Sequence, residues 1–339
     1  MKINQLDLFS GIGGFHLGFE RAGYEVTSYF SEIDQHAIAV YKHQFPTSTY
    51  VGSVTNVRGA DLPRIDLITF GSPCQDFSLA GKRKGMEGER SSLILEAIRL
   101  IRECRPRVFV WENVKGAFSS NSGEDLAAIL QEFTNIGGYR LEWQLLNTSW
   151  FLPQNRERIY LVGYSTTTVA GWRGVFPIGE SNEQTSLSKI NVIASCKNDV
   201  QSRRVYDPDG IARTLTSGDY KSPMRVQVKQ IGIKLDSNGG TQPYQQDRVY
   251  DADGHAPALS AGKSDLIIKE EYRIRRLTPI ECERLQGFPY NHTAFGNYDG
   301  VVKPMSNTQR YKQCGNAVTV DVVSAVAKNC LPLFKTNQQ

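Results

Sequence analysis

Short apolar runs alternate with amphipathic segments along the first 165 residues of the chain. The runs have the length of strands, and the segments between them carry apolar residues at helical spacing, as between residues 91 and 103. Strands that alternate with helices in this way are typical of a doubly wound, mostly parallel sheet. We therefore predict an α/β fold with strands at residues 6–9, 26–30, 66–70, 107–111 and 158–162.

The pattern changes after about residue 165, where Thr, Ser, Gly and Asn are abundant and only short β-like pieces occur. An internal repeat lies here: RVYDPDGIARTLTSG at 204–218 recurs as RVYDADGHAPALSAG at 248–262. Each copy has the pattern of a strand, a turn and a return strand, which predicts paired hairpins in a small β-rich domain. We expect a large domain formed by residues 1–175 and 305–339, and a second domain at 176–304.

Helical signals return after this β-rich region. Thr278 is a good N-cap residue, Pro279 suits the first helical position, and Glu281 completes a capping box. A last helix is predicted from about residue 317 to residue 329.

Composition narrows the class of protein. The 339 residues are 40% hydrophobic and 22% charged, as in ordinary globular proteins, and no run of about 18 apolar residues occurs. The first strand begins so early that we expect no signal peptide. Six scattered cysteines without a C-x-x-C pair favour free thiols in a reducing compartment over a zinc site. The net charge of +4 permits a polyanionic partner without requiring one.

Unusual residues follow the predicted strands of the large domain. The glycine-rich turn FSGIGG occupies 9–14, Glu32 follows the second strand, Cys74 the third and Glu112 the fourth. Ligands of doubly wound sheets bind outside the carboxyl ends of the strands, so these residues should face one crevice. The glycines let the backbone approach a ligand, and Glu32 is the expected partner of a ribose diol.

Cys74 has two interpretations, a small buried hydrophobe or a nucleophile. A Pro-Cys pair at the end of a strand, before a loop with Ser and Gly, favours the nucleophile. Arg156 and Arg158 are separated by one residue, so on an extended segment both side chains point the same way. The alternative interpretation is that both arginines are solvated side chains on the surface.

Six segments, in this order, resemble the DNA (cytosine-5)-methyltransferase family, and the resemblance runs from residue 5 to about residue 330. They are DLFSGIGG at 7–14, GSPCQ at 71–75, ENV at 112–114, QNRER at 154–158, RLTPIEC at 276–282 and GNAV at 315–318. The resemblance implies a class I S-adenosylmethionine-dependent, Rossmann-like catalytic domain with a β-rich target recognition domain.

The family chemistry implies a catalytic role for four residues. Cys74 would add to C6 of cytosine so that C5 can accept a methyl group, and Glu112 would bind N3 and the exocyclic amine. Arg158 would hold the O2 oxygen, with Arg156 supporting the same pocket. Because these atoms are inaccessible in stacked DNA, the base must be flipped out of the duplex.

The cofactor implied is S-adenosylmethionine, with S-adenosylhomocysteine as product and no metal. Phe9, Gly11 and Gly13 would line its methionine side, Glu32 would bind the ribose and Ile33 would pack on the adenine. Ser53 stands where the family commonly has an acidic residue that contacts the adenine amino group. The remaining expected cofactor contacts are Val54, Pro73, Leu93, Asn316 and Val318.

The partner implied is double-stranded DNA. Gln75 and Ser78 would line the mouth of the pocket, and the basic loop residues Lys82, Arg83 and Lys84 would meet phosphates as the loop closes. The family places a Thr-Leu pair beside the flipped base. We expect Thr214 and Leu215 to be that pair because they keep the hydroxyl; Ala258–Leu259 of the second copy is the alternative.

The family setting implies a monomer in the prokaryotic cytoplasm, with a cognate restriction endonuclease as a candidate partner and no membrane contact. A tRNA cytosine-5-methyltransferase is an alternative enzyme, but more than a hundred residues between Arg158 and Arg276 favour DNA. A catalytically silent DNA-binding relative would not need Cys74, Glu112 and Arg158. A nicotinamide-dependent dehydrogenase shares only the glycine-rich turn.

Overall fold

The computed structural model describes most of the chain. The described residues are 1–71, 92–118, 124–166, 174–179, 192–194, 205–206, 212–213, 215, 225–233, 248–250 and 272–335. The first part of the chain contains, in order, β1 (Lys2–Leu8), α1 (Gly14–Arg21), β2 (Glu25–Ser31), α2 (Gln35–Gln44), β3 (Thr49–Tyr50), β4 (Leu67–Gly71), α3 (Ser92–Cys104), β5 (Val108–Val114), α4 (Glu124–Thr134), β6 (Tyr139–Asn147), β7 (Gln154–Asn155) and β8 (Glu157–Ser165).

Seven of these strands form one sheet in the order β3–β2–β1–β4–β5–β8–β6. The strands from β3 to β5 pair in parallel, whereas β8 is antiparallel to both β5 and β6. The predicted α/β fold with a mostly parallel sheet is confirmed. The sequence did not indicate β6, because this edge strand fully buries only Leu146 and lacks a regular apolar pattern.

Both faces of the sheet are buried, as the near-continuous apolar runs require. Successive residues of β5 point to opposite faces, so that Trp111 joins the cluster under α3 and α4 while Val110 joins the cluster under α1 and the C-terminal helix. In β4, Phe70 belongs to the cluster under α3 and α4, and Leu67 belongs to the cluster under α1 and the C-terminal helix. Helices on both faces are the layered arrangement of a doubly wound fold.

The smaller strands are β9 (Val192–Ala194), β10 (Val205–Tyr206), β11 (Ala212–Arg213), β12 (Arg225–Ile233), β13 (Arg248–Tyr250) and β14 (Tyr272–Arg276). Five of them form a sheet in the order β13–β12–β10–β9, with β14 antiparallel to β12. The predicted hairpin is wrong for the first repeat: β10 pairs with β9 and β12, while β11 pairs with β7 in the QNRER segment. The return strand of the second repeat lies outside the described residues.

The rest of the chain contains α5 (Pro279–Leu285), β15 (Phe295–Tyr298), β16 (Val301–Pro304), α6 (Asn307–Asn316) and α7 (Val320–Phe334). The predicted capping box of α5 is present: the Thr278 hydroxyl accepts from the Glu281 N–H, and the Glu281 carboxylate accepts from the Thr278 N–H. The last helix begins three residues later and ends five residues later than predicted. The sequence did not indicate the polar helix α6.

Within the described part of the chain, one stretch, Asn307–Phe334, is long and apolar enough by composition to cross a membrane. It includes both α6 and α7, and 61% of its apolar window is buried inside the protein. The apolar face of α7 packs against α1 and β5 in the core. This burial is typical of a core helix.

Candidate active site

The glycine-rich turn after β1 has a constrained backbone. Phe9, Gly11 and Gly13 all have positive φ angles, of 52°, 53° and 83°. A Cβ atom on Gly13 would lie 2.4 Å from the ring of Phe45, whereas one on Gly11 would meet no atom within 4 Å. The turn therefore packs against α2 at Gly13 and leaves open space at Gly11, where a ligand has room to approach.

Glu32 fixes this turn to the end of β2. Its carboxylate accepts from the backbone N–H groups of Gly11 (2.9 Å), Ile33 (2.7 Å) and Asp34 (3.0 Å). The neighbouring Ile33 side chain is 76% exposed, although it is large and apolar. A carboxylate and an uncovered apolar side chain thus lie side by side at the carboxyl edge of the sheet.

Ser53 lies in a turn that is tied to the same edge. The Ser31 hydroxyl donates to the Gly52 carbonyl at 2.8 Å, and the Tyr50 hydroxyl donates to the Glu32 carbonyl at 3.0 Å. The Ser53 hydroxyl is 3.1 Å from that of Thr55. Two other expected cofactor residues point inward: the Val54 side chain is buried in the core under α3, and Leu93 packs against that core.

Val318 brings the C-terminal segment to the turn. Cβ atoms on Gly14 and Gly71 would lie 2.6 Å and 4.0 Å from the Val318 side chain, so Val318 packs where both residues lack side chains. Asn316, the last residue of α6, is exposed. The predicted return of the GNAV segment to the large domain is therefore present in the fold.

The second part of the site lies at the ends of β4, β5 and β8. Glu112 pairs in register with Gly71 of β4 and with Tyr160 of β8. Arg158 is two residues from Tyr160, so its side chain points to the same face as Glu112. The two side chains form an ion pair with 3.1 Å between Arg158 Nε and Glu112 Oε1, and both are largely buried.

The lack of a side chain at Gly71 leaves space for the Glu112 carboxylate. A Cβ atom on Gly71 would lie 3.1 Å from Glu112 Oε2. The carboxylate therefore lies against the last residue of β4, three positions before Cys74 in the sequence. The buried Glu112 carboxylate thus lies beside the end of β4, and Cys74, the candidate nucleophile, follows this strand in the sequence.

Arg156 has partners different from those of Arg158. Its buried guanidinium donates to the backbone carbonyls of Leu215 (3.0 Å), Gly315 (3.4 Å) and Ala317 (2.8 Å). The guanidinium therefore joins its own segment to residue 215 and to the end of α6. Arg158, in contrast, pairs with Glu112.

A buried carboxyl group lies beneath the glycine-rich turn. Asp7 accepts from the hydroxyls of Thr69 (2.7 Å) and Tyr41 (3.4 Å), and Tyr41 is within 3.0 Å of Ser28 and His16. Burial raises the pKa of the Asp7 carboxyl to about 8, against the lowering effect of these hydrogen bonds. The sequence marks Asp7 only as part of a motif, because burial of this kind is not visible in a single sequence.

His292 is a second residue that the sequence did not indicate. Its Nε2 lies 2.9 Å from the carbonyl of Ile12, in the middle of the glycine-rich turn. Burial lowers the pKa of His292 to about 4, so the ring is neutral and donates from Nε2 to this carbonyl. No motif marks this residue; only the packing of 288–292 against the turn reveals its contact.

Several expected site residues lie outside the described part of the chain. They are Pro73, Cys74, Gln75, Ser78, Lys82, Arg83, Lys84 and Thr214. Leu215 is described and is buried with Leu277, Cys282 and Cys314.

The residues at the turn fit S-adenosylmethionine. Glu32 offers a carboxylate for a ribose diol, exposed Ile33 can cover an adenine ring, and Gly11 leaves space for close approach. The buried hydroxyl of Ser10 has no hydrogen-bond partner among the described residues and is free to bind a polar ligand group. This combination of polar and apolar groups suits a nucleoside with a polar tail.

Solved methyltransferases have a similar fold. An Entamoeba histolytica methyltransferase, EhMeth, superposes with a TM-score of 0.66 at 17% identity, and the match covers 99% of each chain. A putative DNA modification methyltransferase encoded within an E. coli prophage gives a TM-score of 0.57 at 22% identity, over 98% of this chain and 99% of that one. The chain therefore shares the fold of these two proteins.

Sequence comparisons identify the family. The family model for C-5 cytosine-specific DNA methylase matches residues 3–332. Type II methyltransferase M1.ScrFI of Lactococcus lactis subsp. cremoris is 32% identical over 339 residues, which cover all of this chain and 80% of that protein. Type II methyltransferase M.NlaX of Neisseria lactamica is 33% identical over 327 residues, covering 95% and 94%. The chain belongs to the C-5 cytosine-specific DNA methylase family.

The predicted activity is confirmed at this level. The protein is a DNA (cytosine-5)-methyltransferase of a family that implies the use of S-adenosylmethionine, and the two relatives named above are type II methyltransferases.

Proposed function

We propose that the protein methylates C5 of a cytosine flipped out of a short specific site in duplex DNA, with Cys74, Glu112 and Arg158 as the catalytic residues. The observation that carries this assignment is the buried ion pair of Glu112 and Arg158 beside the end of β4. An acid and a guanidinium fixed together complement the amidine edge and the O2 oxygen of cytosine.

Cys74 acts as a thiolate and forms a covalent bond to C6 of the flipped cytosine. The electron pair moves towards N3 and O2, where Glu112 holds a proton at N3 and Arg158 stabilises the charge on O2. S-adenosylmethionine, when bound, supplies the methyl group that C5 accepts. Loss of the C5 proton to a base then re-forms the double bond, and Cys74 leaves as thiolate.

For the cofactor, Glu32 binds the ribose, Ile33 covers the adenine, and Phe9, Gly11 and Gly13 line the methionine side. Ser53 offers a hydroxyl towards the adenine, and Asn316 and Val318 complete the wall. Val54 and Leu93 support this wall from the core, since their side chains point inward. Pro73 is assigned here by its place in the motif.

DNA contacts are assigned to Gln75, Ser78, Lys82, Arg83, Lys84, Thr214 and Leu215. The catalytic domain comprises residues 1–175 and 305–339, and 176–304 forms the target recognition domain. The protein acts as a monomer in the prokaryotic cytoplasm, with a cognate restriction endonuclease as a partner; its similarity to proteins named type II methyltransferases supports this setting.

Transfer of tritiated methyl groups from S-adenosylmethionine to duplex DNA, followed by nucleoside analysis, tests this proposal. The label is expected in 5-methyldeoxycytidine of DNA and not in tRNA assayed in parallel. Label in tRNA alone would favour the tRNA enzyme, and no label in either would overturn the assignment. Methylome sequencing of the treated DNA then gives the recognised site.

A further inference from the structure

The loop of residues 52–59, between β3 and β4, is attached to the carboxyl edge of the sheet. At its start, the Gly52 carbonyl accepts from a hydroxyl at the end of β2, at 2.8 Å. The side chains of Val54 and Val57 are buried in the core under α3. Ser53 is half-buried between these attachments. The position of Ser53 therefore depends on how its neighbours in the loop are held.

Two side chains of α3 bind the backbone of this loop. Arg99 Nη2 donates to the carbonyls of Val54 and Val57, at 3.2 Å and 2.9 Å. The Glu103 carboxylate accepts from the Gly59 N–H at 2.7 Å. The helix and the loop approach closely here, since a Cβ atom on Gly59 would lie 2.7 Å from Glu103 Cβ. The helix therefore fixes backbone groups at three positions of the loop.

Two carboxylates orient the Arg99 guanidinium. Its Nε and Nη2 donate to Glu96 at 2.8 Å and 2.7 Å, and its Nη1 donates to Glu103 at 2.8 Å. These residues are three and four positions apart, so they share one face of α3. Hydrogen bonds from the Gly59 N–H and from Arg99 hold the pKa of the Glu103 carboxyl below its usual range. Ion pairs on a helix surface add little to stability, but these two fix the plane of the guanidinium so that Nη2 faces the loop carbonyls.

A shift of this loop would affect one side of the candidate cofactor site. Glu32 is held by the Gly11 N–H and by the backbone that follows β2, and these contacts do not involve the loop. Ser53, in contrast, directly precedes Val54, whose carbonyl accepts from Arg99. Loss of the Arg99 hydrogen bonds would therefore displace Ser53 and leave the Glu32 carboxylate in place.

We propose that Arg99 is a positioning residue for the adenine side of the S-adenosylmethionine site, and that it acts by holding the 52–59 loop so that Ser53 faces the purine beside Glu32 and Ile33. This inference rests on the proposed function for the identity of the ligand. Arg99 acts through the loop backbone, so its loss should weaken cofactor binding and leave the chemical step intact.

Calorimetric titration of the full-length protein with S-adenosylhomocysteine tests this role without using catalysis. Arg99→Gln should weaken binding by about 10-fold, the effect of about one lost hydrogen bond. Arg99→Lys should weaken it by only about threefold, because an ammonium group can still reach a carbonyl although it lacks the planar fork. The rate of methyl transfer at saturating S-adenosylmethionine should stay within about twofold of wild type in both variants.

Arg102→Gln is the matched control. Arg102 lies on the same helix, and its ion pair with Glu132 has a distance of 3.7 Å between side chains that are 45% and 40% exposed. The affinity of this variant should stay within about twofold of wild type. Melting curves monitor folding, and Arg99→Lys serves for the comparison if Arg99→Gln unfolds. Unchanged affinity in the Arg99 variants, or equal losses in Arg99→Gln and Arg102→Gln, would overturn the proposal.

A smaller ligand locates the effect within the site. Methylthioadenosine keeps the nucleoside and lacks the amino-acid part, so Arg99→Gln should weaken its binding by the same factor as that of S-adenosylhomocysteine. A loss for S-adenosylhomocysteine alone would contradict a role at the adenine. Amide hydrogen exchange of residues 52–59 should also be faster in Arg99→Gln, with residues 9–14 unchanged. If the wild-type protein binds neither ligand, the proposed function fails, whereas the exchange rates still test the attachment of the loop to α3.

Discussion

Arg158 Nε lies 3.1 Å from Glu112 Oε1, and both side chains are largely buried at the carboxyl end of the sheet. The antiparallel register of β5 and β8 creates this pair by placing Arg158 diagonally opposite Glu112. Burying two charges is costly for folding, and a pair kept at the ligand-binding edge of such a sheet suits a polar ligand. This relationship is the main structural support for the proposed base pocket.

Removal of either partner should abolish most of the activity. We expect Glu112→Gln and Arg158→Gln each to slow single-turnover methyl transfer by about 100-fold or more, because both groups act on charge that develops in the ring. Arg158→Gln should also lower the free energy of unfolding by about 3–5 kcal/mol, since it leaves a buried carboxylate without its partner. Methyl-transfer rates and urea unfolding measure the two effects.

The neighbouring pair of Lys115 and Glu157 is the matched control. Its atoms are 2.8 Å apart, and Glu157 is the residue next to Arg158 on β8, but its side chains are 55% and 35% exposed. Glu157→Gln should change the free energy of unfolding by about 1 kcal/mol or less. If it reduced methyl transfer as much as Glu112→Gln does, the special role of the buried pair would be refuted.

Gly13 is required for packing of the glycine-rich turn. Its φ of 83° disfavours any other residue, and an added Cβ atom would meet the Phe45 ring at 2.4 Å. Gly13→Ala should therefore cost about 2–5 kcal/mol of unfolding free energy, from backbone strain and overpacking together. Gly11→Ala, with φ of 53° and no nearby atom, should cost only the backbone part, about 1–2 kcal/mol. Similar losses in urea unfolding of the two variants would contradict this.

Asp7 should make the protein less stable as the pH rises. Burial raises the pKa of this carboxyl to about 8 in the folded state, above its usual value of 3.8. Between these values the folded state keeps a proton that the unfolded state has lost, so stability falls with rising pH by up to about 1.4 kcal/mol per unit. Asp7→Asn cannot ionise and should remove this slope.

Unfolding free energies of wild type and Asp7→Asn between pH 4 and pH 9 measure the effect. The free energy of unfolding of Asp7→Asn should rise relative to that of the wild type as the pH rises through this window. Above about pH 8 the difference between the two free energies should stay constant. A difference that is independent of pH would show that Asp7 is ionised in the folded protein.

His292 should have the opposite effect. Burial lowers the pKa of this ring to about 4, below its usual 6.5, so the folded state excludes a proton that the unfolded state binds. The stabilisation is complete above pH 6.5 and is lost as the pH falls towards 4. His292→Gln should remove this dependence, and it should weaken binding of S-adenosylmethionine by altering the contact with Ile12. A wild-type and variant difference that stays constant from pH 7 to pH 4 would contradict the assignment.

Much of the large sheet could be predicted because its parallel strands are buried on both faces and are therefore continuous apolar runs. The capping box of α5 was equally visible, since local hydrogen bonds determine it. β6 and α6 were missed because an edge strand and a polar helix lack a clear apolar period.

The site could be predicted by residue type but not by contact. The sequence placed Glu32 and Glu112 at the carboxyl ends of their strands, where the structure also has them, whereas only the family resemblance put Arg158 beside Glu112. It could not separate the partners of Arg156 from those of Arg158, because pairing between β7 and β11 depends on segments that are distant in the chain. The hydrogen bond of His292 to Ile12 spans 280 positions and depends on tertiary packing in the same way.

The most direct test of the proposed mechanism is to map the covalent adduct formed with duplex DNA in which 5-fluorocytosine replaces the target cytosine. Fluorine at C5 prevents the final elimination, so the wild-type protein should remain bonded to DNA in the presence of S-adenosylmethionine, with the linkage in the peptide that contains Cys74. Cys74→Ser should form no adduct, while Cys104→Ser, which changes a free thiol of α3, should react like wild type. An adduct at another cysteine, or an adduct that survives Cys74→Ser, would contradict the proposed mechanism.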